Sequence, residues 1–271
     1  MNELEKIALN TRRRIFELVC RNKAGHLASS LSSVEILTAL YFGGILNYQP
    51  QNPNWEDRDR YVLSKGHSAL GYYVTLAKAG YYSEDETDSF CIAGTRYGGL
   101  PLKDKVLGVE ATTGSLGHGL SYAAGIAMNA KIFQKKYKTY VLLGDGELQE
   151  GSIWEAAMFT AQHRLTNLMI IIDYNQIQAT ERCENIIGIE PLKEKWQSFG
   201  FDVTEADGHN IAELTEKLRI SDDQQRVKVL IAHTVKGKGL SFAENQPDWH
   251  YKMPSQEQIE LGIQELGMQK G

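Results

Sequence analysis

The sequence predicts an α/β protein, a parallel sheet flanked by helices. Three observations predict it. Leu168 to Asp173 reads LMIIID, a nearly all-apolar run of strand length, as expected of a strand buried on both faces of a parallel sheet. Tyr140 to Leu143 is a second strand, and it runs straight into Gly144-Asp145-Gly146. Helix-like and strand-like stretches then alternate along the rest of the chain, the pattern of crossover connections between parallel strands.

In chain order, residues 3 to 22 place Leu4, Ile7, Ile15, Leu18 and Val19 at helical spacing, with arginines opposite. Ser32-Ser33-Val34-Glu35 has the pattern of a capping box and predicts a helix through Phe42. Arg60 to Leu63 is strand-like, and Ser83 to Glu86 repeats the capping signature for a short helix. Residues 118 to 136 are rich in small side chains and predict a helix that packs closely on a sheet. A helix from about Ser152 to Arg164 links the two central strands. Phe201 to Thr204, a helix near Ile211 to Leu218, and Val227 to Ala232 continue the alternation. Ligands of such a sheet lie beyond the carboxyl ends of its strands.

Composition narrows the class. Hydrophobic residues make up 42% of the 271 and charged residues 23%, the balance of a soluble globular protein rather than a disordered one. A formal charge of -5 gives no electrostatic footprint for nucleic acid. Cys20, Cys91 and Cys183 lie far apart without CxxC spacing, which speaks against a disulfide framework or a cysteine zinc site and for reduced thiols. No run approaches the ~20 apolar residues of a membrane helix. The N-terminal MNELEKIALNTRRR carries charge where a signal peptide has its apolar core, so the expectation is a cytoplasmic protein with no membrane contact. There is no internal repeat or low-complexity linker, and 1–271 is expected to be a single domain.

Three groups of residues point to chemistry. Gly144-Asp145-Gly146 and Asn175 both follow strands, with 28 residues between Gly146 and Asn175, the length of one crossover. Adjacent strands would then bring an aspartate and an asparagine to one point. With a backbone carbonyl they form a hard oxygen set suited to Mg²⁺ or Ca²⁺ that keeps positions for phosphate oxygens. Gly146 lets the backbone approach an anion closely. Asp-Gly alone reads more simply as a turn; the asparagine at this spacing weakens that reading.

The second group is His26, His67 and His250, each in a loop, where a rigid scaffold usually carries its site. Imidazole titrates near neutrality and can shuttle protons. His163, His209 and His233 are expected to be structural or solvated. The third group is Thr113 to Gly119 (TGSLGHG), a loop opening a helix whose N–H groups suit phosphate. It is weak alone, and it is not GxGxxG, which disfavours a nicotinamide Rossmann site.

Taken together, AGHLASSLSSVEIL, YVLSKGHSALGYY, TTGSLGHGLSYAAGIAM, GDGELQEGSIWEA with YNQI, and HTVKGKG with WHYKMP resemble transketolase, in order and over nearly the whole chain. The likeness is greatest to the N-terminal subunit of a split transketolase. It implies the thiamine-diphosphate-binding fold of that family's diphosphate-binding domain, with thiamine diphosphate and Mg²⁺ (or Ca²⁺) as cofactors. Asp145, Asn175 and the carbonyl of Ile177 match the family's metal positions. Gly146 and Asn175 match diphosphate contacts, and Ser29, His67, Gly114, Ser115, Leu116, Lys236 and His250 match further cofactor contacts. His26 and His250 match the histidines that touch substrate hydroxyls and move protons, while the cofactor acts as electron sink. Glu150 and Glu155 match interface positions that link two active sites.

The implied activity is transfer of a two-carbon ketol unit from a ketose, phosphorylated in the family, to an aldose. Where the family has histidine in a Gly-His-Pro loop, this sequence reads Gly98-Gly99-Leu100-Pro101. Leucine cannot hydrogen-bond a sugar hydroxyl, so a deoxy, branched or sulfonated ketose enters as donor. The glutamate that activates the aminopyrimidine belongs, in the family, to a pyrimidine-binding domain. The resemblance therefore implies a partner, the C-terminal transketolase subunit, with two copies of each chain. Two alternatives stand beside this reading. One is another thiamine diphosphate enzyme, a 2-oxo-acid dehydrogenase component or a deoxyxylulose-phosphate-type synthase. The other is a non-catalytic binding or regulatory partner of the same fold. The His26 and His67 loops with the late Trp-His-x-x-x-Pro favour the transketolase branch.

Overall fold

The computed structural model describes residues 1–179 and 181–269. Among these, five strands form one sheet: β1 (Arg60–Leu63), β2 (Thr139–Gly144), β3 (Leu168–Tyr174), β4 (Asp202–Asp207) and β5 (Lys228–His233). Their order is β1-β2-β3-β5-β4, and every pairing is parallel. The helices are α1 (Glu3–Asn22), α2 (Leu27–Ser32), α3 (Val34–Phe42), α4 (Ala69–Lys78), α5 (Gly119–Ile132), α6 (Gly151–Gln162), α7 (Cys183–Ile186), α8 (Leu192–Ser198), α9 (Ile211–Lys217) and α10 (Gln256–Glu265).

The period-two geometry of strands explains the two cores. Tyr140, Leu142, Met169, Ile171 and Leu230 face one way and join the apolar sides of α1, α3, α4 and α9. Val141, Leu143, Leu168, Ile170, Ile172, Val229 and Ile231 face the other way, toward α5, α6 and α8. Every residue of β2 and β3 is buried, so both faces must be apolar, and LMIII follows. The helix expected over 3–22 is α1, opened by an Asn2 cap whose box is closed by Glu5.

Two expectations need correction. The chain does not form a capping box at Ser32–Glu35: α2 and α3 break at Ser33, whose side chain caps nothing. Ser32 instead donates to the buried Asp173, and Glu35 turns inward to Arg12. Tertiary partners outcompete the local ones, although the helix does run to Phe42. Ser83 likewise caps nothing; it precedes a 3₁₀ turn over Glu84–Ser89, and Glu86 pairs with Arg96 and Tyr97. The small-residue helix is shorter than expected, Gly119–Ile132. Among the described residues, no helix is long and apolar enough to cross a membrane. Cys20, Cys91 and Cys183 are free thiols.

Candidate active site

Register alone brings the two strand ends together. Gly144 of β2 pairs with Asp173 of β3, so Asp145 and Asn175 leave neighbouring strands side by side. Asp145 caps the turn Gly146–Gln149: its Oδ1 accepts from the Gly146 N–H at 2.7 Å, and its Oδ2 accepts from the Gln176 N–H. Asn175 Oδ1 accepts from the Ile177 N–H at 3.1 Å. Burial, with the charge of Asp173 adding to it, pushes the Asp145 carboxyl up to about 6. A divalent cation at these oxygens would offset that cost. Among the described residues no cluster of three or more His, Cys, Asp or Glu forms a metal site. A carboxylate, an amide oxygen and a backbone carbonyl are hard oxygen donors of the kind that suit a divalent cation, and the Ile177 carbonyl also accepts from Lys236 Nζ at 3.2 Å.

Beneath this lies a layer that sequence reasoning missed. Lys65 and Asp173 form a fully buried ion pair. Asp173 also accepts from Ser32 Oγ at 2.6 Å, from Thr234 Oγ1, and from Asn175 Nδ2 at 3.2 Å. Burial would raise the Asp173 carboxyl; Lys65 and these donors outweigh it and hold it at about 2. Asp173 therefore orients Asn175. The only signal in the sequence was a charge ending an otherwise apolar strand. Glu147 is a second missed organiser. It is buried and accepts from Ser64 Oγ, the Gly117 N–H at 2.9 Å and the Gly144 N–H at 3.1 Å, tying the 113–119 loop to the end of β2. A Cβ on Gly119 would collide with the Ser64 side chain, so only glycine fits that crossing.

A cavity of about 500 Å³ opens over both strand ends. It is lined by His26, Ser29, His67, Gly114, Leu116, Asp145, Gly146, Asn175, Ile177, Lys236 and His250, with Leu100, Glu150 and Tyr251 also on its wall. Ser115 is exposed on its loop and is not among the lining residues. Glu155 is exposed on α6, outside the cavity. Ser29 Oγ and His26 Nδ1 are buried with no hydrogen-bond partner, so the wall presents polar atoms still free for a ligand.

The three loop histidines converge. Their ring centroids are 5.8 Å apart for His26 and His67, 5.0 Å for His26 and His250, and 5.4 Å for His67 and His250. Burial lowers all three, and the Lys236 charge adds to it for His26 and His250; His67 lies well below the usual range and His250 falls to about 3. They are neutral at neutral pH, each able to accept a proton on one nitrogen and donate from the other. Lys236 donates to Gln178 O at 2.7 Å and Ile177 O at 3.2 Å and lies 3.4 Å from His250 Nδ1. Burial, with Lys65 nearby, lowers its ammonium to about 8. His163, His209 and His233 are not on the cavity wall; His209 and His233 pair with Glu35 and Glu205.

Comparison with known proteins bears on this arrangement. The family described as "Transketolase, thiamine diphosphate binding domain" matches residues 5–271. The chain is 45% identical to an apulose-4-phosphate transketolase subunit from Actinobacillus succinogenes, over 98% of this chain and 96% of that protein. It is 36% identical to a 6-deoxy-6-sulfo-D-fructose transketolase subunit from a Clostridium species, over 97% of this chain and 96% of that one. The solved transketolase of Campylobacter jejuni superposes with a TM-score of 0.90 at 30% identity, covering 99% of this chain and 43% of that chain. The chain thus spans about two fifths of that solved transketolase, but nearly the full length of the relatives named as subunits. It belongs to the transketolase family, as a transketolase subunit built on the thiamine diphosphate-binding domain.

Proposed function

We propose that this chain is the diphosphate-binding subunit of a transketolase that moves a two-carbon ketol unit from a modified ketose phosphate to an aldose, together with a second chain that completes the site. One observation carries the reading. A hard oxygen set at the ends of β2 and β3 faces three neutral imidazoles across a single cavity. Asp145, Asn175 Oδ1 and the Ile177 carbonyl would hold Mg²⁺ (or Ca²⁺). Gly146 and Asn175 would meet the diphosphate, and Ser29, His67, Gly114, Leu116, Lys236 and His250, all on the cavity wall, would surround the rest, with Ser115 beside them on the 113–119 loop. When bound, thiamine diphosphate supplies the electron sink for carbon–carbon cleavage.

The chain's own groups orient substrate and move protons. His26 and His250 would meet the substrate hydroxyls and pass a proton to and from them. Leu100 lies on the cavity wall and offers no hydrogen bond. A donor whose neighbouring carbon carries no hydroxyl, or is branched or sulfonated, suits that wall. The names of the relatives, for apulose 4-phosphate and for a sulfonated fructose, agree with this class. Residues 1–271 act as one domain in this reading, and the three free thiols suit the reducing cytoplasm. Glu150 and Glu155 join the chain to its own copy, giving two copies of each subunit.

The test is the complex purified with its partner, incubated with a panel of ketose phosphates and aldose acceptors. Mass spectrometry should find a shortened aldose and a ketose lengthened by two carbons. Products lacking that pair, with cofactor and metal present, would refute the reading.

A further inference from the structure

The loop that carries Lys236 is gripped from the side away from the cavity by a buried charged network that the proposed chemistry does not use. Arg12 of α1 donates through Nη1 and Nη2 to the two oxygens of Glu35 on α3, at 2.9 and 3.1 Å. Arg12 Nε donates to the Lys238 carbonyl at 2.7 Å. His209, just beyond β4, lies with Nδ1 2.8 Å from Glu35 Oε2, and its Nε2 is 2.8 Å from the Val235 N–H. A backbone N–H only donates, so Nε2 is the bare nitrogen and Nδ1 carries the proton given to Glu35. The carboxylate of Glu35 thereby fixes the tautomer of His209, and His209 fixes Val235.

These contacts bracket Lys236. Val235 is held just before it and Lys238 just after it, while the Gly237 N–H donates to Ala28 O at 3.0 Å. The Lys236 side chain points the other way, to the carbonyls of Ile177 and Gln178 and to His250. Arg12 and Glu35 are 5% and 7% exposed. A buried ionic network of this kind is weak evidence for stability, because well-packed apolar side chains often do as well. Its geometry, by contrast, is specific: every terminal contact of the network falls on the Lys236 loop or on the helices beside it. A site group must be held within about 0.5 Å to work, by neighbours that are themselves locked.

We propose that Glu35 and His209 are positioning residues for Lys236. They set the 235–238 backbone so that the ammonium reaches the carbonyls after β3 and stays beside His250. The proposal rests on the reading of Lys236 as a cofactor-side residue.

The experiment is a double-mutant cycle read by calorimetry, titrating thiamine diphosphate with Mg²⁺ into the full chain. Residues that act on a site through its first layer typically cost 10–100-fold in affinity, so His209→Ala and Lys236→Ala should each weaken binding by about tenfold or more. The double variant should bind no more weakly than Lys236→Ala alone, because the two act through one group. His209→Gln should rescue, since its amide can accept from Val235 and donate to Glu35. In the cofactor-free chain, His209→Ala should speed amide hydrogen exchange at Val235. Should His209→Ala fail to fold, the same cycle runs with Glu35→Gln. Multiplying losses in the double variant, or unchanged exchange at Val235, would overturn the positioning role while leaving Lys236 in place. Wild-type affinity in Lys236→Ala would instead remove Lys236 from the cofactor site and the proposal with it.

Discussion

Asp145 is a buried carboxylate held by two backbone N–H groups and pushed up to about 6 by burial, so its ionised form gains most from a cation. Asp145→Ala should abolish metal-dependent binding of thiamine diphosphate while the fold survives, because a diphosphate without its cation faces an uncompensated desolvation cost. Calorimetry with and without Mg²⁺, beside a thermal melt, checks both halves. His26→Ala or His250→Ala should lower turnover by about 10²–10⁴-fold with a smaller effect on cofactor affinity. His163→Ala serves as the control; a loss of turnover as large as that of His26→Ala would undo the assignment. Leu100→His should move donor preference toward an ordinary ketose phosphate, since a site that hydrogen-bonds a hydroxyl discriminates far more strongly than an apolar one. Unchanged relative rates across a donor panel would reduce Leu100 to loop packing against Gly114. Asp145, Asn175, His26 and His67 were legible because each stands beside a strand end or a glycine, and His250 because it sits in the polar Trp-His-x-x-x-Pro stretch. Lys65 and Asp173 were not, because their pairing joins residues 108 positions apart and no local spacing encodes it.

At the scale of elements, β3 announced itself because a strand covered on both faces must be apolar throughout. Helix α4 did not, for the same reason: ALGYYVTLAK is buried on nearly every side, so it shows no amphipathic stripe. The Ser32–Glu35 misreading has a related origin, since Ser32 and Glu35 serve partners on β3 and α1 rather than their own helix. These cross-links make helix packing pH-dependent. Burial would raise Glu35, but His209 and Arg12 hold it at about 2 against its ordinary 4.5; Lys65 and its neighbours hold Asp173 at about 2 against 3.8. Both are depressed, so their stabilisation is complete above the unfolded values and is lost as pH falls from about 4.5 toward 2. Denaturant midpoints should fall through that window, and Glu35→Gln should flatten part of the slope; an identical slope would mean the Arg12–Glu35–His209 network is not what titrates. Lys65→Met should destabilise by about 3–5 kcal/mol, the cost of leaving a buried charge unpaired. A loss under about 1 kcal/mol in chemical denaturation would show that Asp173 had found another partner.

At the scale of the molecule, the cavity has one wall of strand ends and one of loops, and Tyr251 stands exposed at its edge against His26 and His250. On α6, Met158 and Phe159 are exposed one turn beyond the exposed Glu155, and Tyr122 is exposed on α5; exposed apolar side chains of this kind can mark a contact with another chain. Both features suit a protein that finishes its site by association. In the proposed function this chain holds the diphosphate end of the cofactor and depends on a second chain to activate it. The direct measurement is a coupled ketol-transfer assay with thiamine diphosphate and Mg²⁺, run on this chain alone and on the co-expressed pair, with sizing of both. The expected result is a folded oligomer of this chain without transfer activity, and activity that appears only in the complex. Substantial ketol transfer by this chain alone, free of any second band on a denaturing gel, would contradict it.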